Sequence, residues 1–381
     1  MNRRKFLLLA GGGVVLAAGG PLGMVAARKP TKALEPWSQA GSLYQEPRKK
    51  ALSYAILAPN PHNRQPWLVN LSEPDRIILT VDTDRMLPHT DPFSRQITIG
   101  LGCFLEVLAM AAAEDGYRAD ITLFPEGSAV EALDERPVAI IVFEQDASIK
   151  PDPLFAHVLS RRSLKEPFDL DRPVPDADLG RIAAAARGGA QVGTDNTEKR
   201  VAELRRLTHE AMEVEIDTPR TYKESVDLFR IGKTEIEANP DGIDFSGPFF
   251  ETLHFVGAMS REATLDPSST AFAEGKKAIF AQTDTAMAYV WLVTAGNHRK
   301  DQINAGRNWV RLNLGATSEG VGIHPLSQAL QEYPEMTSHY AEVHKMLAPK
   351  GGTVQMLGRL GYAAPVAPSP RWPLAQKIIA A

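Results

Sequence analysis

Ala58-Pro59-Asn60-Pro61-His62-Asn63-Arg64-Gln65-Pro66-Trp67 is the stretch around which the rest of this sequence is organised. Its three prolines fix φ and block a helix, so it predicts a loop of defined shape after a helical segment. The amide and imidazole groups of this opening loop, beside the flat indole of Trp67, suit holding a planar heterocycle. A proline-rich surface turn is the alternative that composition leaves open.

Composition describes a globular chain. The 381 residues suffice for two domains of similar size or one large one. They are 44% hydrophobic and 23% charged, unlike a disordered segment or a membrane bundle. The net charge of −4, from 42 basic and 46 acidic residues, offers no electrostatic reason for a nucleic-acid partner. A small molecule is the better expectation.

Cysteine and histidine usage argues against a metal site. Cys103 is the one cysteine of the sequence, so neither an intrachain disulfide nor a cysteine cluster is expected. The nine histidines show no His-x-x-x-His spacing.

The first 27 residues have the pattern of a targeting peptide. Asn2-Arg3-Arg4-Lys5-Phe6-Leu7 resembles a twin-arginine signal, and Val25-Ala26-Ala27 offers small residues for cleavage before Arg28. Such a signal implies contact with the twin-arginine export machinery and a periplasmic or extracytoplasmic location. It also favours a protein whose cofactor is inserted before export. An uncleaved membrane anchor is the alternative.

Helices and strands are predicted in mixed order along the remainder of the chain. Helical patterns occupy 48–57, 96–114, 153–160, 176–186, 197–214, 220–229 and 301–319, and strand patterns occupy 77–81, 121–124, 138–143 and 354–362. Segment 28–47 is predicted to be extended, and 288–294 to be a strand or the end of a helix. Asp91 or Ser94 is the expected N-cap of the helix at 96–114, and Gly116 and Gly320 end the two long helices. The strand pattern at 138–143 lacks alternation, which predicts burial on both faces. The helix and strand patterns become weaker across 218–265, which predicts irregular structure there, as expected of a possible lid.

The two halves, 28–150 and 151–381, show a weak sequence similarity to each other, which we call the sequence echo. A shift of 204 residues pairs Gly102 with Gly306, Leu108 with Leu312, Ala112 with Ala316 and Gly116 with Gly320. A real repeat would mean that one chain contains two copies of a unit that elsewhere dimerises. Chance similarity between alanine-rich helices is the alternative.

A second motif, Arg161-Arg162-Ser163-Leu164-Lys165-Glu166-Pro167-Phe168, gathers hydrogen-bond donors. Guanidinium groups form paired bonds to phosphate oxygens, so the run suits an anion. The alternative is that Arg161 and Arg162 complement a helix dipole.

Together with Pro370-Arg371-Trp372-Pro373-Leu374, these motifs resemble the flavin-dependent nitroreductase family, in particular its fused branch. That family has Ala-Pro-Ser-x-x-Asn-x-Gln-Pro-Trp, Arg-Arg-Ser-x-Lys-x-Phe and Pro-Arg-x-Pro-Leu at the corresponding places. The resemblance implies an α+β, nitroreductase-like fold with central, mostly antiparallel sheets flanked by helices. It also implies two nitroreductase-like halves in one chain, an internal pseudo-dimer that acts as a monomer.

The resemblance implies FMN as the cofactor, bound between the halves. The residues expected to hold the phosphate are Arg161, Arg162, Ser163, Lys165 and Arg371. Those expected to reach the flavin from the opposite half are Pro59, Asn60, Pro61 and Asn63. Pro325, Leu326, Ser327 and Gln328 correspond to a stretch with backbone donors near flavin N5 and O4, although an ordinary turn is the alternative there. Asn60 departs from the family, which usually has serine. One full set of motifs predicts one FMN per chain.

The implied function is ping-pong hydride or electron transfer through flavin N5, from a small-molecule donor to a nitroaromatic or quinone-like acceptor. No side chain is expected to act as a general acid or base, in agreement with the lack of a paired-carboxylate, Gly-x-Ser-x-Gly or P-loop pattern. An exported protein that binds or sequesters flavin with little turnover is the alternative from another class. A scaffold that binds no flavin is a third.

Overall fold

The computed structural model describes residues 29–188 and 190–379, so the predicted targeting peptide at 1–27 lies outside the described residues. The helices, in chain order, are α1 Thr31–Gln39, α2 Pro47–Ala55, α3 Arg95–Glu114, α4 Asp176–Ala184, α5 Glu198–Asp217, α6 Pro219–Asp227, α7 Gly232–Ala238, α8 Pro248–Phe255, α9 Arg261–Leu265, α10 Thr270–Thr283, α11 Arg299–Ser318 and α12 Thr337–Leu347. The strands are β1 Trp67–Asn70, β2 Arg76–Val81, β3 Tyr117–Leu123, β4 Ala139–Gln145, β5 Gln191–Asp195, β6 Phe229–Ile231, β7 Ile243–Phe245, β8 Ala288–Thr294, β9 Gly322–Pro325, β10 Thr353–Gly361 and β11 Ile378–Ile379.

The strands form two larger sheets and one small one. The first sheet has the order β11-β1-β2-β4-β3, and the second has the order β5-β8-β10-β9. Every pair in them is antiparallel except β1 with β11. A parallel two-stranded sheet, β6-β7, stands apart. The α+β class and the mostly antiparallel sheets are therefore confirmed.

The two larger sheets share one topology. In each, four antiparallel strands taken in chain order lie in the spatial order first, second, fourth, third. A 20-residue helix, α3 in the first and α11 in the second, connects the second strand to the third. The end of the chain then returns to the first sheet as β11.

Helices α3 and α11 pack against each other in the centre of the molecule. Within the described residues, α3 is the one helix long and apolar enough to span a membrane, and 89% of its apolar window is buried inside the protein. It is the core helix of the fold, so its apolar character is explained by packing. The prediction of helices at 96–114 and 301–319, each ended by a glycine, is confirmed.

The start of α3 shows how the predicted cap works. Ser94 is the N-cap residue, in a left-handed conformation and without a side-chain cap. The Asp91 carboxylate instead accepts hydrogen bonds from the backbone N–H groups of Gln96 (3.0 Å) and Ile97 (2.9 Å). These are donors that a helix start otherwise leaves free.

Three sequence predictions about elements are wrong. Segment 28–47 is not extended: it contains α1, which includes Pro36 and buries Trp37, because packing of its apolar side outweighs the lost proline N–H. Strand β4 is not buried on both faces but alternates, with Ile140 and Val142 half-buried. Segment 218–265 is mostly regular, with four short helices and the two strands of the small sheet.

Candidate functional site

The opening loop is held in a strained backbone shape. His62, Asn63 and Gln65 all have positive φ, at 47°, 52° and 51°. Such conformations cost about 1 kcal/mol or more each for residues other than glycine. The Asn60 side chain secures the loop, because its Oδ1 accepts from the Gln65 N–H at 2.7 Å and its Nδ2 donates to the Ala58 carbonyl at 3.1 Å.

The loop lies directly on the core helix. A Cβ placed on Gly100 of α3 would be 3.1 Å from both Asn60 Cβ and Pro61 Cδ. Pro61 also begins the short 3-10 turn Pro61–Asn63. The absence of a side chain at Gly100 therefore permits the close approach of the loop.

Arg371, from the C-terminal tail, binds this loop. Its guanidinium donates to the carbonyls of Ile56, Leu57 and Ala58, at 3.0 to 3.2 Å, and also to the Asn63 side chain and the Pro370 carbonyl. These bonds use all five N–H donors of the guanidinium group. In this structure Arg371 positions the opening loop, and its predicted contact with a phosphate stays a prediction.

Arg161 shares one of these carbonyls, that of Leu57, with Arg371. It is buried, and its Nη2 donates to the Leu57 carbonyl at 3.1 Å. Arg162 donates to the Leu159 carbonyl at 2.9 Å and to its neighbour's carbonyl at 2.7 Å. The guanidinium carbons of Arg162 and Arg371 lie 4.8 and 5.4 Å from the centre of the Trp37 ring, which lies beside both.

This arginine cluster, Arg161, Arg162 and Arg371, carries positive charge that the Asp244 carboxyl offsets in part, without forming an ion pair. Among the described residues, none of its members has a carboxylate within ion-pair distance. Burial, and then repulsion between the arginines, lowers the pKa of Arg161 to about 10 and that of Arg371 to about 9. Buried charges normally have partners, so the cluster fits an anionic group supplied from outside the chain.

Ser163 and Lys165 continue from the cluster along the edge of the second sheet. The Leu164 N–H donates to the Ile323 carbonyl at 2.8 Å, and buried Arg359 donates to the carbonyls of Lys165 and Glu166 at 3.0 and 2.7 Å. Ser163 is half-buried and Lys165 is exposed. The segment is thus fixed by its backbone, which leaves the Lys165 side chain exposed for a ligand.

Lys165 is electrostatically coupled to three titratable groups from three parts of the chain. Burial, then the charges of Lys165 and Arg64, lowers the pKa of His62 to about 4. Burial, then Arg359 and Lys165, lowers the pKa of His324 well below its usual value. Burial raises the pKa of Asp244, although Lys165 and Arg371 oppose that shift. Both shifts favour the neutral imidazole, so His62 is a poor proton donor at physiological pH.

The stretch Pro325-Leu326-Ser327-Gln328 leaves the second sheet at the end of β9. The Leu326 N–H is already bonded to the Leu357 carbonyl at 2.9 Å, and the Ser327 hydroxyl lies 4.0 Å from the Met356 sulfur. The Gln328 side chain lies near buried Glu215, and its Oε1 is buried without a donor among the described residues. The predicted flavin contacts of this stretch stay predictions.

Segment 239–245, within the predicted lid, packs against the opening loop. Gln65 donates to the Pro240 carbonyl at 2.7 Å, and the Gly242 N–H donates to the Asn63 carbonyl at 3.3 Å. The structure therefore brings together the opening loop, the double-arginine segment 161–168, Arg371 of the C-terminal tail and segment 239–245, which we call the lid segment. The stretch 325–328 is connected to them through β9.

Sequence reasoning missed two polar residues that hold this arrangement. Buried Asp241 pairs with Arg64, Arg85 and Arg230. Buried Lys377 donates to the Gln65 carbonyl at 2.8 Å, and burial lowers its pKa to about 7. The turn residues Pro240-Asp241-Gly242 were a local signal, but nothing in the sequence connects Asp241 to arginines that lie far apart along the chain.

Comparison with known proteins gives sequence relatives along nearly the whole chain. No family model matches the chain. It is 27% identical over 341 residues to "Putative NAD(P)H nitroreductase Rv3131" of Mycobacterium tuberculosis strain H37Rv, covering 87% of this chain and 90% of that protein. It is also 29% identical over 147 residues to "Putative NAD(P)H nitroreductase acg" of the same organism, covering 36% of this chain and 44% of that protein.

Solved structures with similarity to the chain also include nitroreductases. The FMN-dependent nitroreductase NfnB from Mycobacterium smegmatis, in complex with NADPH, is 19% identical with a TM-score of 0.34, covering 57% of this chain and 92% of that one. A putative nitroreductase from Anabaena variabilis is 11% identical with a TM-score of 0.36, covering 76% and 69%. In sequence, the chain is therefore a relative of the mycobacterial proteins that are named putative NAD(P)H nitroreductases.

Proposed function

We propose that this chain is an FMN-dependent oxidoreductase of the nitroreductase family, with two nitroreductase-like halves fused in one chain. The observation that carries the proposal is the arginine cluster, where the two halves meet: Arg161 and Arg371 are buried and Arg162 is half-buried, and no carboxylate of the described residues is at ion-pair distance from them. The sequence relatives named as NAD(P)H nitroreductases support the same class. The shared order of four strands in the two larger sheets supports the fused halves.

The donor set fits the phosphate end of FMN. A phosphate monoester carries about two negative charges and favours several charged donors. Arg161 and Arg162 supply guanidinium groups, and Ser163 and Lys165 add a hydroxyl and an exposed ammonium. Arg371 holds the carbonyls of residues 56–58 in place through its own bonds. The opening loop would then contact the cofactor from the first half.

When bound, FMN supplies the hydride and electron chemistry. The chain's own contribution is to bind and orient the cofactor, to exclude water with segment 239–245, and to keep His62 and His324 neutral near Lys165. The acceptor class proposed is a nitroaromatic or a quinone-like compound, and the donor is a small molecule. The twin-arginine-like segment supports export, with a location outside the cytoplasm.

A second candidate is an exported flavin-binding protein with little turnover. The packing of segment 239–245 on the opening loop favours it, because a lid fixed by Asp241 and Gln65 would restrict access of a donor or acceptor.

A visible spectrum of the purified chain, before and after incubation with FMN, tests both candidates. We expect flavin absorbance that remains after gel filtration, and its lack in both samples would contradict any flavin function. Anaerobic mixing with NADPH, NADH and then dithionite separates the two: bleaching by a pyridine nucleotide supports an oxidoreductase, whereas bleaching by dithionite alone supports the sequestering protein.

Arg161→Ala tests the phosphate assignment. Because the guanidinium is buried and charged, we expect FMN affinity to fall by about tenfold or more. Arg76→Ala is the matched control, since Arg76 lies exposed on β2 with Glu73 as its partner. Equal affinities for the two variants would remove Arg161 from the site.

A further inference from the structure

Trp37 of helix α1 lies against the arginine cluster. Its side chain is buried, and its indole N–H donates to the Ser369 carbonyl of the C-terminal tail at 2.8 Å. The guanidinium carbon of Arg162 lies 4.8 Å from the centre of the ring, and that of Arg371 lies 5.4 Å from it. Both distances are within the range of a cation–π interaction. One indole, fixed by its own hydrogen bond, therefore contacts two members of the cluster.

The aromatic ring stabilises a guanidinium group that is partly removed from water. Arg162 is half-buried, and burial lowers its pKa. Its Nε and Nη1 groups donate to carbonyls at 2.7 to 3.4 Å, whereas its Nη2 group donates to no acceptor among the described residues. Because an aromatic ring attracts a cation through its negative face, it leaves the N–H groups of the arginine available for phosphate oxygens.

Helix α1 depends on packing for its stability. It has nine residues, no side-chain cap at its start and Pro36 in its interior, and so short a helix is marginal by itself. Its buried residues, Ala33, Pro36 and Trp37, are spaced i, i+3 and i+4 and share one face. The Arg371 N–H donates to the Ala33 carbonyl at 2.8 Å, and the helix packs against α2 and α7. This buried face is therefore the side of α1 that meets the arginine cluster.

We propose that Trp37 is a positioning residue of an anion site for a phosphate monoester, and that helix α1 is a strap that closes this site. The indole N–H is already bonded to Ser369, so Trp37 acts through the arginines and does not itself donate to the ligand. It holds the guanidinium of Arg162 in place, and the docked helix slows release of the ligand. The choice of FMN as that ligand rests on the proposed function.

Two substitutions separate the aromatic face from its packing. Trp37→Phe keeps an aromatic ring and loses the bond to Ser369, whereas Trp37→Leu keeps an apolar side chain and loses the ring. Trp291→Leu is the matched control, because Trp291 lies half-buried on β8 beside Gly193 in the second sheet. The probe is inorganic phosphate, compared with chloride at equal ionic strength.

Urea unfolding with and without phosphate gives the affinity of each variant, because a ligand that binds the folded state raises the free energy of unfolding. The comparison is made within each variant, so a general loss of stability cancels. We expect phosphate affinity to fall about tenfold in Trp37→Leu, about threefold or less in Trp37→Phe, and not at all in Trp291→Leu. Equal losses in the two Trp37 variants would overturn the proposal, as would a gain in Trp37→Leu, which would show that the indole occupies the place of the ligand.

Release of FMN tests the strap in the loaded chain. Recovery of flavin fluorescence after dilution measures the dissociation rate constant. Trp37→Leu should release FMN about tenfold faster than the unsubstituted chain, and Trp291→Leu at the same rate as that chain. An unchanged rate in Trp37→Leu would contradict the strap. Phosphate binding without FMN binding would contradict the proposed function, and the phosphate titrations would still decide the role of Trp37.

A double variant shows whether Trp37 acts through Arg162. If it does, Trp37→Leu should lower phosphate affinity by about threefold or less when Arg162→Ala is already present, through its contact with Arg371. Losses that multiply in full would overturn the assignment, because side chains that act independently contribute additive free energies.

Discussion

At the scale of single residues, Asp241 holds the lid segment to the opening loop. It is buried, and its carboxylate receives Arg230 from β6 together with Arg64 and Arg85 from the first half. Each of these arginines is at most one-fifth exposed, so the ion pairs are poorly screened by solvent. One carboxylate thus neutralises charge from two distant parts of the chain.

Asp241→Asn should destabilise the fold strongly. The substitution leaves Arg64 and Arg230 without this counter-charge and Arg85 with Asp82 alone, and breaking a buried pair in this way costs about 3 kcal/mol or more. Urea unfolding followed by circular dichroism measures the change. Asp120→Asn is the control, because Asp120 forms its pair with Arg118 on an exposed strand and should change the free energy of unfolding far less. Equal losses of unfolding free energy in both variants would show that the ion pairs of Asp241 stabilise the fold no more than an exposed pair does.

At the scale of elements, α3 and α11 meet at two glycines. A Cβ on Gly102 would lie 2.2 Å from the Ile303 carbonyl oxygen, and one on Gly306 would lie 1.9 Å from the Ile99 carbonyl oxygen. These glycines are one of the pairs related by the shift of 204 residues, and the bounds of the two helices are related by the same shift. The contact is close to symmetric because each backbone approaches the other at its glycine.

The first residues of the two helices extend this relation. Arg95 donates to the carbonyls of Leu330 and Gln355 in the second half, at 2.7 and 2.6 Å. Arg299, also 204 residues later, donates to the Phe93 carbonyl in the first half at 2.6 Å. Each helix therefore begins with a buried arginine that binds the opposite half, which the sequence echo alone did not reveal.

Gly306→Ala should separate the two long helices. The three atoms nearest to the added methyl group all belong to backbone, so relief requires movement of a whole helix. We expect a loss of about 3 kcal/mol in unfolding free energy. The control is Gly275→Ala in α10, where a Cβ meets nothing within 4 Å. That change should raise stability by about 0.5 to 1 kcal/mol through helix propensity. Loss of stability in both variants, measured by urea unfolding, would contradict the close-packing argument.

At the scale of the whole molecule, the C-terminal tail joins the halves. After β10 leaves the second sheet, the tail contributes Arg371 and Lys377 to the opening loop and then pairs β11 with β1. The Trp37 indole N–H also donates to the Ser369 carbonyl at 2.8 Å. The site around the opening loop therefore contains residues from the first half, the second half and the end of the chain.

One FMN per chain is the prediction at this scale. The two larger sheets share a strand order, but the opening loop, the double-arginine segment and the tail arginine occur once. Titration of the flavin-free chain with FMN, followed by fluorescence quenching and by flavin released on denaturation, should saturate at one equivalent. Saturation at two equivalents would indicate a second, unrecognised site and would contradict the asymmetry argued from the motifs.

The sequence alone determined the parts of this protein that depend on neighbouring residues. The prolines of the opening loop, the apolar period of α3, the glycines after α3 and α11, and the donors at 161–165 are each set by local geometry or side-chain chemistry. Together with the family resemblance that these motifs carry, these features were enough to predict the α+β class and to propose an anion site. They could not show which donors already have partners inside the protein.

Only the tertiary structure decided which distant groups form hydrogen bonds or ion pairs with the buried polar side chains. Arg371 binds carbonyls more than 300 residues away, Asp241 gathers arginines from both halves, and α1 forms despite Pro36 because it packs onto the fold. The physical reason is burial: a polar group needs a partner when it leaves water, and the partner's identity depends on which distant segments meet there. The opening loop was recognisable from ten residues, but its strained shape exists because the tail and the lid segment hold it.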